Sequence, residues 1–140
     1  MVDANKAKRR IHVLLDALAD LRRYRDSVTK VQLTRERDVQ HMVLHAMYVA
    51  IQATVDLAMH VAADGGLPQS SSYRAVFRAL ADASIIDHDL AGRLEGWAGF
   101  RNVLAHLYSV IDYDRVYESL SEIDDLERFA TTVGSLVDGS

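Results

Sequence analysis

One proline, Pro68, and seven glycines in 140 residues leave nearly the whole chain free to be helical, because these two residue types cost a helix interior the most. The apolar residues use that freedom and recur at steps of three and four, the period of an amphipathic helix. A first helix over about 5–27 places Ile11, Leu14, Leu15, Leu18 and Leu21 on one stripe. A second over about 34–63 repeats Val39, Val43, Ala46, Ala50, Ala53, Leu57 and Val61, the seam of a long helix packed against a neighbour. At a rise of ~1.5 Å per residue it would run ~45 Å, more than a domain of this size needs for its own core. Part of it is therefore expected to serve a dimer.

The stretch Asp64-Gly65-Gly66-Leu67-Pro68 stops the second helix, since glycine tolerates left-handed geometry and proline cannot continue a helix. Ser70, Ser71 and Ser72 follow as candidate caps for a short helix over about 72–83 carrying Tyr73, Val76, Phe77 and Leu80. Another helix starts near Asp87 and carries Leu90, Leu94 and Trp97, with Trp97 and Phe100 read as core. The β-branched pair Val110-Ile111 and then Asp112, a good N-cap, mark a break before one final helix with Val116, Leu120, Ile123, Leu126, Ala130 and Val133. The chain reads as all-α, an antiparallel bundle of about five helices forming a single domain over 1–140, with its core over about 5–137.

No apolar run approaches the ~20 residues of a membrane-spanning helix, and no apolar leader precedes a small-residue cleavage site. A soluble, cytoplasmic protein without a membrane partner is expected. The chain has no cysteine, which removes disulfides, thiolate zinc sites and a cysteine nucleophile. Its net charge of −4 argues against a generally basic nucleic-acid coat, yet residues 1–37 hold ten Lys and Arg against five Asp and Glu. Arg9, Arg10, Arg22 and Arg23 are thus candidate RNA-binding residues.

The informative stretch is Gly99-Phe100-Arg101-Asn102-Val103-Leu104-Ala105-His106-Leu107-Tyr108. Arginine is permanently charged and grips phosphate through paired hydrogen bonds, and histidine exchanges a proton near neutral pH. Together they suit phosphodiester cleavage without a metal, in which the RNA 2′-OH is the nucleophile. Spacing alone says little: thirteen arginines and six histidines would give about half an Arg-x4-His match by chance. Arg35 and His41 fit the looser Arg-x5-His spacing within what reads as an ordinary amphipathic helix. His41 and His45 with Asp38, and His60 with Asp56, have helical ligand spacing, but no Glu-x-x-His pair accompanies them, and no metal or cofactor is expected.

The residues around the pair resemble the HepT-like branch of the HEPN families, whose Arg-x4-His-x-Tyr motif is filled here by Arg101, His106 and Tyr108. The likeness extends to Asn102 after the arginine, to Asp112-Tyr113-Asp114-Arg115-Val116-Tyr117, and upstream to Tyr48-Val49-Ala50-Ile51-Gln52 with Asp56 and to Tyr73-Arg74-Ala75-Val76-Phe77. It implies a HEPN-like bundle forming a two-fold dimer, and the toxin of a type VII toxin–antitoxin system of the HepT/MntA kind. It also implies a metal-independent endoribonuclease in which Arg101 and His106 are catalytic and Asn102 orients one of them. The implied partner is a minimal nucleotidyltransferase antitoxin that neutralises the toxin by transferring AMP to Tyr108.

Helical geometry bears on the dimer independently. Five residues turn a helix by ~500°, setting Arg101 and His106 ~140° apart, whereas Arg101 and Tyr108 nearly coincide. A straight helix in one protomer cannot aim all three at one phosphate. Either the helix ends near His106 or the site is completed across a two-fold axis, and both are expected. The reading from a different class is a non-catalytic helical module that binds a nucleotide or grips a nucleotidyltransferase.

Overall fold

The computed structural model describes residues 4–106 and 111–138. Among them the order is α1 (Ala4–Ser27), α2 (Lys30–Arg35), α3 (Arg37–Asp64), α4 (Tyr73–Asp82), α5 (His88–His106), α6 (Tyr113–Ser119), a 3₁₀ turn (Leu120–Glu122) and α7 (Asp124–Asp138). The described residues form helices and connecting turns and no strand.

α3 is the axis of the fold. Val43, Met47, Ala50, Ile51, Leu57, Ala58 and Val61 are all fully or almost fully buried, so the helix is coated on most of its circumference by α1, α4, α5 and α7. By length and apolar composition α3 could cross a membrane, but more than half of its most apolar stretch is buried inside the bundle. Its one fully buried hydroxyl, Thr54, is satisfied by donating to the Ala50 carbonyl at 2.8 Å, as a buried polar group requires. Across the core, Phe77 of α4 meets Phe129 of α7 edge to face at 5.9 Å, the arrangement that ring quadrupoles favour. Trp97 and Phe100 are buried, as their periodicity suggests.

Two expectations need correction. The helix read over 34–63 is broken at Glu36, whose backbone is extended (φ −102°, ψ 114°). α2 is a separate turn and a half, started by a capping box in which Thr29 accepts from the Gln32 amide N–H and the Gln32 side chain accepts from the Thr29 N–H. The Gln40 side chain donates to the Thr34 carbonyl at 3.1 Å, satisfying an acceptor near the break. Arg35 and His41 consequently sit on different helices. The final helix is likewise interrupted: the buried Ser119 hydroxyl donates back to the Val116 carbonyl at 2.7 Å, and the 3₁₀ turn then resets the phase so that Leu120, Ile123, Leu126 and Phe129 are all buried. Among the described residues seven α-helices therefore stand where about five were expected, the five long ones being α1, α3, α4, α5 and α7.

The ends follow local chemistry. Ser72 caps α4 by accepting from Ala75 N–H at 3.1 Å, Asp87 accepts from Leu90 N–H at the start of α5 at 2.6 Å, and Asp112 caps α6. α3 ends with Gly66 left-handed at φ 73° and the Leu67 N–H bonded back to Ala62. α4 ends in the same pattern, with Ile85 N–H bonded to Leu80, but Ser84 holds the left-handed position at φ 61°. A side chain there costs energy that glycine does not. Ser84→Gly should therefore stabilise the protein by about 1 kcal/mol in urea denaturation; an unchanged or lower midpoint would contradict this account of the turn.

Candidate functional site

The site is built on a polar stripe of the largely buried α3. Tyr48, Gln52 and Asp56 of α3 succeed one another at four-residue steps, so they lie along one face. Asp56 is exposed and Gln52 half-buried. A carboxylate only accepts, so it draws the amide N–H₂ of Gln52: Nε2 donates to Asp56 Oδ1 at 2.9 Å. That turns the Gln52 carbonyl oxygen toward α5, where it accepts from Arg101 Nε at 2.8 Å. The remaining arms of Arg101 donate to Asn102 Oδ1 at 3.3 Å and to the Tyr48 hydroxyl at 3.4 Å. The guanidinium carbon also lies 5.6 Å from the Tyr48 ring centre and 5.2 Å from that of Tyr73, the first residue of α4, both within cation–π reach.

Every partner in this set is neutral. Asp56 is held one side chain away by Gln52, so Arg101 is fixed in position without an ion pair that would spend its charge. A half-buried guanidinium anchored by amides and aromatic rings retains the capacity to bind an anion through paired donors.

Arg101 and Asn102 are adjacent on α5, Arg101 half-buried and Asn102 exposed. His106 closes the described part of the same helix, five residues on. In register it lies ~140° from Arg101 but only ~20° from Gly99, two turns earlier. Tyr108 lies outside the described residues. Of the basic N-terminal candidates, Arg10 shares a cleft with Tyr48, Gln52 and Asp56, and its Nη1 is buried without a hydrogen-bond partner. Arg9 is exposed. Arg22 is paired with Glu127 and Arg23 with Asp20, and the Asp20 side chain, by hydrogen bond and charge, raises the Arg23 guanidinium above its ordinary value. No group of three or more His, Asp or Glu side chains is placed to share a metal among the described residues.

Sequence reasoning singled out Arg101 and Asn102 and missed their supports. Tyr48, Gln52, Asp56 and Tyr73 entered only as flanking resemblance. The signal available for them was the polar stripe itself, because polar groups on the face of a buried helix require partners.

The all-helical bundle that carries this arginine has the HEPN architecture. More particularly, the chain belongs to the ribonuclease HepT-like family, whose model matches residues 14–133. It is 25% identical over 96 residues to a candidate RNase of Archaeoglobus fulgidus, a match covering 69% of this chain and 72% of that one. Its fold is that of a tri-AMPylated Shewanella oneidensis HEPN toxin solved in complex with an MNT antitoxin, at a TM-score of 0.85 and 21% identity, covering 96% of this chain and 99% of the other. It is also that of the cytosolic protein YutE from Bacillus subtilis, at a TM-score of 0.83 and 17% identity, covering 99% and 92%. The expected HepT-like, HEPN-type helical bundle is thus borne out.

The mooring has a measurable strength. Gln52→Ala removes the shortest bond to Arg101 and should cost about 1 kcal/mol in chemical denaturation. Tyr48→Phe loses only a long 3.4 Å contact and keeps the ring, so it should cost less than about 0.5 kcal/mol. The reverse order would disprove the hierarchy.

Proposed function

We propose that this protein is a metal-independent endoribonuclease, the toxin of a toxin–antitoxin pair, that acts in the cytoplasm as a homodimer. The observation that carries the reading is the Arg101 guanidinium of a HepT-like chain, fixed at 2.8 Å by Gln52 and surrounded by neutral partners only. Such a cation is prepared for a phosphate and has no carboxylate partner to displace among the described residues.

In this mechanism the 2′-OH of one nucleotide attacks the adjacent phosphorus, its proton passes to a His106 imidazole, and Arg101 stabilises the charge gathering on the phosphoryl oxygens. The bond to the 5′-oxygen breaks, and that oxygen takes a proton from an imidazolium. The products are a 2′,3′-cyclic phosphate and a 5′-hydroxyl. Asn102 positions Arg101 through the hydrogen bond at 3.3 Å. The wide angle between Arg101 and His106 in register favours a cleft shared by two protomers, in which one histidine acts as base and the other as acid. Arg9 and Arg10 extend the basic surface that RNA would approach; Arg22 and Arg23 contribute less, being neutralised by Glu127 and Asp20.

For control, the reading draws on the Shewanella oneidensis relative, which is tri-AMPylated and bound to an MNT antitoxin. A minimal nucleotidyltransferase would transfer AMP from ATP to the Tyr108 hydroxyl, forming the O–P bond as pyrophosphate leaves, and so add bulk and negative charge close to Arg101 in sequence register, competing with the RNA phosphate.

Purified protein incubated with RNA in excess chelator should leave 2′,3′-cyclic phosphate and 5′-hydroxyl ends, and His106→Ala should lower the rate by at least about 100-fold. Equal activity in the two proteins would leave a non-catalytic helical module as the better description. Co-expression with a partner nucleotidyltransferase should add one or more AMP units by intact mass, lost in Tyr108→Phe. A modified Tyr108→Phe protein would place control elsewhere.

A further inference from the structure

From residue 74 onward the chain has six arginines, and they divide cleanly. Arg78 pairs with Glu95, Arg93 with Asp89 and Asp125, and Arg128 with Asp87 and Asp89. Asp89, by hydrogen bond and charge, together with the charge of Asp125, raises the Arg93 guanidinium above its ordinary value. The other three, Arg74, Arg101 and Arg115, have no carboxylate partner among the described residues, and two of them, Arg74 and Arg115, lie against the Gly96–Phe100 stretch of α5. An Arg74 guanidinium nitrogen lies 3.9 Å from where a Cβ on Gly99 would stand. The Arg115 guanidinium carbon lies 5.6 Å from the Phe100 ring centre.

Arg74 and Arg115 wall a cleft of about 340 Å³ with Gly96 and Gly99 along α5. A Cβ at Gly96 would meet nothing within 4 Å, so the helix backbone stays open to an incoming group. The one carboxylate on the cleft, Asp112, is engaged by Oδ1 with the N–H groups of Asp114 and Arg115 at 3.0 and 3.4 Å. Both arginines are exposed. In a chain with a net charge of −4, two cations with no ion-pair partner among the described residues stand over a cleft that holds a single carboxylate, a balance that makes a site for an anion.

Resting on the ribonuclease reading, we propose that Arg74 and Arg115 form a second phosphate site, which holds a flanking phosphate of the RNA backbone. Gly99 and Arg101 are ~200° apart around α5, so the two sites sit on opposite flanks of a helix ~10–12 Å across and cannot grip one phosphate. The strand is thereby held on both sides of the motif, and the cleft takes a phosphodiester, without base recognition.

The test is binding of a single-stranded RNA oligonucleotide to the full chain in a His106→Ala background, over a range of salt. Arg74→Gln and Arg115→Gln should each weaken binding severalfold and lower the slope of log affinity against log salt by about 0.7. In the cleaving protein the same changes should raise KM and leave kcat nearly unchanged. Arg78→Gln, which removes a charge already paired with Glu95, should bind as the parent does. Weakened binding confined to Arg74 and Arg115 supports the site whether or not the parent cleaves. Unchanged binding and salt slope in the Arg74→Gln/Arg115→Gln double variant overturns it even if the parent cleaves, and so does an equal loss in Arg78→Gln. AMP binding that falls in the double variant while RNA binding holds would assign the cleft to a free nucleotide and also overturn the proposal.

Discussion

Everything in this protein is arranged around the burial of α3. A helix of 28 residues whose alanines, valines and leucines are buried around most of its girth is stable only when other helices coat it, because exposed apolar surface costs roughly 25 cal/mol per Å². Ala46, Ala50, Ala53 and Ala58 are small enough to let those neighbours approach closely. The coat is incomplete along one line, and there the sequence places Tyr48, Gln52 and Asp56. The polar stripe thus occupies the seam that the hydrophobic packing of α3 leaves open.

That seam explains how a strong cation can be held still without being silenced. A direct carboxylate would fix Arg101 more tightly and remove its charge; an amide between the two groups transmits orientation and not neutralisation. The aromatic rings of Tyr48 and Tyr73 add attraction that is likewise not ionic.

The elements that periodicity and caps define were legible in the sequence: the extents of α1 and α4, the stop at Gly65-Gly66, and the starts at Ser72, Asp87 and Asp112. The breaks at Glu36 and Ser119 were not: residues 34–38 hold no apolar side chain whose phase could mark the first, the apolar spacing of Val116, Leu120 and Ile123 runs straight across the second, and hydrogen bonds reveal both. Thr29-x-x-Gln32 is a capping-box pattern and was the available sign of a new helix at Lys30. At the site, Arg101, Asn102 and His106 stood out through a local motif, whereas Gln52 and Tyr48 reach Arg101 across about fifty residues of sequence. Arg74 and Arg115 were invisible as a pair, since nothing in their spacing marks two residues from different helices as walls of one cleft.

Tyr73 and Arg74 are consecutive, share the Ser72 cap, and touch α5 at Arg101 and at Gly99 respectively. α4 is therefore a two-pronged fork astride α5, its handle fastened into the core by Phe77 against Phe129. Both prongs spring from the same turn of α4, so a rigid tilt of the handle would carry the bases of both together.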